Sequence, residues 1–164
     1  MSEFDPALKP KIRYSPAIAK TKAMKFCAYQ ERSHQEVRNK LFDWGLYSKE
    51  VDQIIAELIA ENFLNEERFA INFARGKFRI KRWGKAKIVN ALKLKGVSEY
   101  NIKKALMQFE DPIYKSTLDE VIAKKMKLIK NDNVFKRNAA IARYAIGKGY
   151  EPTLVWQLIN EIKI

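Results

Sequence analysis

A short basic stretch in the middle of the chain carries the side chains best suited to binding chemistry. Residues 75–87 read RGKFRIKRWGKAK, with seven lysines or arginines in thirteen positions, no acidic residue and two aromatic rings. Such a stretch can hold a phosphate backbone or an acidic protein surface, because both are polyanionic. The candidate partner-binding or nucleic-acid-binding residues are Arg75, Lys77, Phe78, Arg79, Lys81, Arg82, Lys85 and Lys87.

The positive charge of the chain is concentrated around this stretch. The 164 residues carry a formal net charge of +13. Residues 65–104 hold twelve basic and three acidic residues, whereas residues 1–64 hold ten and nine. A local cationic field of this kind attracts polyanions. With 47% hydrophobic and 31% charged residues, the composition is that of a soluble globular protein.

No combination of residues in the sequence indicates catalysis or metal binding. The only histidine and cysteine, His34 and Cys27, stand at no recognised ligand spacing. Gly76 and Gly84 are too far apart for a phosphate-binding P-loop, and Ala86 stands where that loop has serine or threonine. We therefore predict a protein that is not an enzyme and has no cofactor. We expect Cys27 to be a buried apolar residue and His34 an exposed residue of a first helical turn.

The elements that position the basic stretch are predicted to be helices, and they repeat. Apolar residues recur at helical spacing, as in the stripe over residues 51–59, and no segment shows sustained strand alternation. Around Gly45, Gly96 and Gly149, apolar residues match at five positions: eight and four before, and six, ten and thirteen after. Each copy predicts a helix, a left-handed glycine that ends it, and a second amphipathic helix.

A further helix ahead of each pair completes the predicted fold. These helices fall at about residues 17–32, 66–82 and 113–130. The predicted class is all-α, with three tandem three-helix repeats in an elongated, curved array. The predicted divisions are a flexible N-terminal segment followed by three repeats: 1–16, 17–64, 65–110 and 111–164.

Helix start signals support this division. Ser33 and Glu36 have the spacing of a capping box, and Asn65 precedes two glutamates. Two acid–proline pairs, at residues 111–112 and 151–152, place a proline where a first turn accepts one.

The basic stretch should lie at the end of the second repeat's first helix. A helical wheel places Phe69, Phe73, Gly76 and Ile80 on one face, which we predict packs within its own repeat. Phe78 lies nearly opposite, so two interpretations stay open. It is either an exposed anchor for a partner or a nucleic-acid base, or it packs against a neighbouring repeat.

The three residues Trp83, Lys85 and Lys87, which follow this helix, have separate predicted roles. Trp83 is predicted to close the helix and anchor the turn. Lys85 and Lys87 open the next helix, where cations oppose the helix dipole. Their placement favours a bound anion or an acidic surface there, with a solvated basic face as the alternative.

The sequence resembles the RecX family of recombinase regulators. The similarity covers about residues 20–162 and is most specific in the middle, where the family's E-x-R-F-A, W-G-x-x-K/R-I and L-x-x-K-G-[VI] elements recur in order; the third repeat, RYAIGKGYEPTLV, is a looser match. In the middle repeat the matching residues are Glu67, Arg68, Phe69, Ala70, Trp83, Gly84, Lys87, Ile88, Leu92, Lys95, Gly96 and Val97. In the first repeat they are Arg32, Ser33, Glu36, Lys40, Leu41 and Gly45.

This resemblance implies an all-helical protein without catalytic activity that binds the RecA recombinase. The partner is chiefly the RecA filament on single-stranded DNA, whose ATPase, strand-exchange and coprotease functions such proteins depress. Some members of the family also bind DNA directly. The expected setting is DNA repair, recombination and the SOS response.

One alternative function stays open on the residues themselves. The basic middle repeat suits a general nucleic-acid-binding module, in which charge acts alone. Sequence-specific reading by helix-turn-helix is disfavoured, because helices such as VDQIIAELIAENF carry few basic residues. We expect a cytoplasmic protein, because no apolar run reaches the length of a membrane span or signal peptide. We expect a monomer, because packing of the repeats uses the matched apolar positions.

Overall fold

The computed structural model describes residues 12–109 and 111–162. Within these residues the chain forms nine α-helices and no strand, which confirms the predicted all-α class. The helices follow one another in three groups of three. Their bounds are α1 Pro16–Tyr29, α2 His34–Asp43, α3 Ser48–Ala60, α4 Glu66–Lys81, α5 Lys85–Leu94, α6 Glu99–Leu106, α7 Asp111–Leu128, α8 Val134–Gly147 and α9 Pro152–Glu161.

The chain divides into two compact units, the first ending at Phe69 and the second beginning at Ala70. The second unit therefore contains most of α4 and all of α5–α9. The predicted boundaries at 64/65 and 110/111 fall between helices, the one at 16/17 falls one residue into α1, and all three stay predictions. The predicted flexible segment, 1–16, lies mostly outside the described residues. In its described part, the backbone N–H of Tyr14 donates to the carbonyl of Trp44 at 3.0 Å.

Local signals set the helix starts. The Ser33 hydroxyl accepts from the backbone N–H of Glu36, and the Glu36 carboxylate accepts from that of Ser33, as predicted for a capping box. The Asn65 side chain accepts from the backbone N–H of Arg68 at 2.9 Å. Helices α7 and α9 begin at the two acid–proline pairs. These starts depend on neighbouring residues only, so the sequence could predict them.

Three glycines separate the second and third helix of each group. Gly45, Gly96 and Gly149 adopt the predicted left-handed conformation, with φ of 85°, 76° and 102°. The pattern weakens thirteen residues after the last glycine, where Ile162 is 37% exposed. The matched positions eight and four before and six after each glycine are buried in every group: Val37, Leu41, Val51, Ile88, Leu92, Ile102, Ile141, Ala145 and Val155.

Two reactive side chains of the first unit lie in its interior or at its edge. Cys27 is buried as predicted, and burial raises the pKa of its thiol. His34 is half-buried, whereas the prediction had it exposed. Burial lowers the pKa of His34, and the Glu66 carboxylate opposes that shift in part. Neither residue is placed as a surface nucleophile or ligand.

Candidate binding surface

Helix α4 packs through only part of the predicted face: Phe69 is buried and Phe73 is half-buried, but the far end of the face is open. Ile80 is 79% exposed, and no neighbouring element lies within 4 Å of where a Cβ on Gly76 would stand. The alanines at positions 70 and 74 allow close approach, since the distance between helices depends on the side chains at their contact. The prediction was wrong for Ile80 because it gave weight to large apolar residues and none to alanine. The buried residues of α4 are Phe69, Ala70, Ala74 and Phe78.

Phe78 lies in an aromatic cluster and not on the surface. It is 7% exposed, and its ring centroid lies 4.8 Å from that of Phe109 and 5.9 Å from that of Tyr114. Tyr114 belongs to α7, the first helix of the third group. The interpretation of Phe78 as an exposed anchor is therefore wrong, and packing against a neighbouring repeat is what the structure shows.

The charged residues of α4 that stay accessible are Arg75, Arg79 and Lys81. Arg75 donates from Nη2 to Oε1 of Gln108 at 3.1 Å. Arg79 follows Arg75 by one helical turn, so both guanidinium groups lie on one face. Together with Phe109 they line a groove of about 190 Å³. This face can bind a carboxylate or phosphate from a partner.

Aromatic rings hold three further ammonium groups in a row. Nζ of Lys77 and of Lys87 lie 4.9 and 4.7 Å from the ring centroid of Trp83. Lys77 Nζ is also 5.4 Å from the Phe73 ring, and Lys95 Nζ is 5.8 Å from that same ring. Each such contact contributes about 0.5–1 kcal/mol at an exposed site. Lys95 was not among the predicted binding residues; the only signal for it was its place in the family pattern.

Arg82 has a structural role beside its charge. It ends α4 with a φ of 58°, a left-handed conformation that costs a non-glycine residue about 1–2 kcal/mol. Its carbonyl accepts a hydrogen bond from the Tyr150 hydroxyl at 2.8 Å, and its guanidinium lies 3.3 Å from the Glu120 carboxylate. Burial raises the pKa of Tyr150, which keeps the hydroxyl protonated as a donor. These contacts fix the end of α4.

The first N–H groups of α5 are occupied by oxygens from the third group of helices. The prediction that cations at this helix start favour a bound anion is therefore not supported for the helix terminus itself. An anion would have to displace three hydrogen bonds that are already made. The donor–acceptor pairs are Gly84 to the Lys148 carbonyl, Lys85 to the Tyr114 hydroxyl and Ala86 to the Gly149 carbonyl, at 2.8, 3.0 and 2.9 Å.

The side chain of Lys85 packs over the Tyr114 ring. Its Nζ lies 4.5 Å from the centre of the Tyr114 ring. The Tyr114 hydroxyl donates to Oε2 of Glu151 at 2.9 Å, and burial raises its pKa. Lys85 is thus half-buried at a contact between α5 and α7 and is less available to a partner than Arg79 or Lys81.

Gly84 and Gly149 allow the backbone just before α5 to approach the backbone just after α8, and we call this contact the glycine junction. A Cβ on Gly149 would stand 2.5 Å from both the Cβ and the backbone nitrogen of Lys87. A Cβ on Gly84 would fall within the backbone of Gly149. Sequence reasoning assigned the two glycines to separate repeats and did not predict that they meet.

The accessible chemistry of this surface is that of fixed ammonium and guanidinium groups. Among residues 12–109 and 111–162, no group of three or more histidine, cysteine, aspartate or glutamate side chains could hold a metal ion. None of the helices described is both long and apolar enough to cross a membrane. Fold and surface together define a protein of tandem three-helix groups with a cationic face on the second group.

Comparison with known proteins identifies the family. Residues 19–58 match the model of the RecX first three-helix domain, and residues 65–106 match the model of the RecX second three-helix domain. Together the two stretches make up half of the chain. The chain belongs to the RecX family of regulatory proteins. The resemblance noted from the sequence is thereby confirmed, as is the tandem arrangement of three-helix domains.

Relatives named regulatory protein RecX differ in length. The chain is 26% identical over 144 residues to the protein of Prosthecochloris aestuarii, covering 88% of this chain and 93% of that one. It is 28% identical to the Clostridium beijerinckii protein, covering 87% and 67%. With the Bacillus mycoides protein it shares 21% identity, and the chain spans 98% of its own length but only 60% of that protein.

Two solved structures share the fold. The crystal structure of RecX from Lactobacillus salivarius has a TM-score of 0.81 at 20% identity, covering 89% of this chain and 95% of that one. Another structure described as regulatory protein RecX has a TM-score of 0.82 at 20% identity, covering 89% and 72%.

Proposed function

We propose that this protein is a non-enzymatic regulator that binds the RecA recombinase, chiefly as its filament on single-stranded DNA. Binding mainly inhibits the ATPase, strand-exchange and coprotease activities of the filament. The protein thereby acts in the cytoplasm, as a monomer, in DNA repair, recombination and the SOS response. Family membership supports the regulatory role, and the cationic face of the second domain supports a polyanionic partner.

The observation that carries the proposal is the accessible part of the basic stretch. Arg75, Arg79 and Lys81 are exposed on α4, while Lys77 and Lys87 are held on the Trp83 ring. A nucleoprotein filament presents both phosphates and acidic side chains. Guanidinium groups bind such groups in a bidentate manner, and ammonium groups bind them as point charges.

Direct binding to preformed filaments tests the proposal. The variant Arg75→Glu/Arg79→Glu should bind the cognate recombinase filament at least tenfold more weakly, because each change replaces an attraction by a repulsion. The matched control is Lys127→Glu/Lys130→Glu, which alters two exposed lysines at the end of α7 and just after it and removes the same four units of charge. Co-sedimentation or fluorescence anisotropy measures both. Equal weakening of the two variants would reduce the effect to total charge and contradict the assigned surface.

A nucleic-acid-binding module is the second candidate, and the row of Lys95, Lys77 and Lys87 favours it. If the seven predicted basic residues each neutralised one phosphate, the log–log salt slope on single strands would be about −5. Filament binding through protein contacts should give a shallower slope and persist where affinity for free DNA is weak. A slope near −5 with equal affinity for free DNA and filament would support the module instead.

A further inference from the structure

A groove on the third group of helices shares only Arg82 with the predicted basic stretch. It has a volume of about 210 Å³ and is bounded by α7, α8 and the end of α4. Arg82 and Glu120 form an ion pair at its edge, which satisfies the one acidic group of the lining. The remaining charged residues of the lining are Lys124, Lys125 and Lys148.

The groove combines these cations with accessible apolar surface. Leu128 is 70% exposed and Tyr144 is 40% exposed, and both line it. From Glu120 to Leu128 the α7 side of the groove runs about 12 Å, at 1.5 Å per residue. That length accommodates about four extended residues. Electrostatic attraction between the three lysines and an anion does not account for the exposed leucine beside them.

Two of the three lysines are held in place by the tyrosine ring and the backbone. Nζ of Lys125 lies 4.4 Å and Nζ of Lys148 lies 5.6 Å from the centre of the Tyr144 ring. Lys148 also donates from Nζ to the carbonyl of Lys81 at 3.0 Å. Preorganised cations of this kind bind an anion at a lower entropic cost than freely rotating side chains.

We propose that this groove binds an acidic segment of a partner protein, with one apolar side chain of that segment seated against Leu128 and Tyr144. Carboxylates of the segment complement the three lysines. A nucleic-acid strand suits the groove less well, because its hydrophilic sugar–phosphate backbone places no hydrophobic side chain against the exposed Leu128. The physiological partner rests on the proposed function, since the recombinase filament would supply the segment.

A titration without recombinase tests the groove itself. The probes are a capped peptide with two glutamates on either side of one central leucine, the same peptide with serine for leucine, and hexathymidylate. Nuclear magnetic resonance of the isotope-labelled full chain locates the bound probe. The leucine peptide should shift the signals of Leu128 and Tyr144 and bind at least threefold more tightly than the serine peptide.

Variants complete the test. Lys124→Glu/Lys125→Glu should weaken binding of the leucine peptide at least tenfold, whereas Lys127→Glu/Lys130→Glu, on the same helix end but outside the groove lining, should change it less than twofold. Circular dichroism checks that both keep their helices. Equal affinity for the two peptides, shifts centred elsewhere, or stronger shifts of the same signals by hexathymidylate would each overturn the proposal.

The two proposals can fail separately. If the peptide binds in the groove but the wild-type protein does not bind the recombinase filament, the groove assignment stands and the proposed function falls. If the filament binds and the groove variant binds it as well as wild type while the peptide finds no site, the groove assignment falls alone.

Discussion

Gly96 and Gly149 hold the same place in consecutive groups of helices, yet their surroundings differ. Both have left-handed backbones, with φ of 76° and 102°. Nothing lies within 4 Å of where a Cβ on Gly96 would stand, whereas a Cβ on Gly149 would stand 2.5 Å from the backbone nitrogen of Lys87. The repeat explains the backbone conformation of both glycines. Only the contact with the neighbouring group explains why a side chain at Gly149 has no room.

Replacing each glycine by alanine measures how much the different surroundings of Gly96 and Gly149 contribute to stability. Gly96→Ala should lower the free energy of unfolding by about 1–2 kcal/mol, the cost of a left-handed alanine. Gly149→Ala should add a steric cost of about 1–3 kcal/mol, because the methyl group has no room at the glycine junction. Urea denaturation followed by circular dichroism measures both. Equal losses for the two variants would mean that the junction contributes nothing.

A smaller effect is expected at the hydroxyl beside the junction. Tyr114→Phe removes the acceptor for the Lys85 N–H and the donor to Glu151, so the free energy of unfolding should fall by about 1–2 kcal/mol. Tyr100→Phe alters a tyrosine that is 65% exposed and should change it by no more than about 0.5 kcal/mol. A loss at Tyr114 no greater than at Tyr100 would show that the hydrogen bonds are replaced by water.

The first residue of the second helix also differs between groups. His34 opens α2 half-buried, whereas Lys85 opens α5 over a tyrosine ring. Because burial lowers the pKa of His34, the folded state binds fewer protons than the unfolded chain near and below pH 6.5. Stability should therefore fall as the pH drops through that range.

The variant His34→Gln isolates this contribution. Its free energy of unfolding should depend less on pH between 7.5 and 5.5 than that of wild type, as denaturation at several pH values would show. Gln35→Asn is the control, since its side chain does not titrate. An unchanged pH dependence in His34→Gln would assign the slope to other groups.

Features that depend on adjacent residues could be predicted from the sequence. The capping box of Ser33 and Glu36, the cap at Asn65 and the three left-handed glycines each follow from a few neighbouring positions. The recurrence of apolar positions around the glycines was enough to predict the all-α class, because it reports the same helix pair three times.

Features that depend on contacts between groups could be predicted only as alternatives or not at all. The wheel for α4 left Phe78 either exposed or packed against a neighbouring repeat, and the structure shows it buried by Phe109 and Tyr114. Tyr150 gave one unused signal, since it follows its glycine as Leu46 and Val97 follow theirs, and all three are buried. Its hydroxyl bond to the end of α4 has no counterpart in a repeat pattern, because leucine and valine lack the donor.

If, as we propose, the accessible cations of α4 are needed to inhibit the recombinase, then inhibition of its single-stranded-DNA-dependent ATP hydrolysis should depend on them. Arg82 is left unchanged, because it forms an ion pair with Glu120, and its substitution would change folding stability as well as surface charge. Wild type and Lys127→Glu/Lys130→Glu should inhibit hydrolysis by the cognate recombinase at substoichiometric amounts, and Arg75→Glu/Arg79→Glu should require at least tenfold more protein. Equal inhibition by all three proteins would contradict the role of Arg75 and Arg79, and no inhibition by wild type would contradict the proposed function.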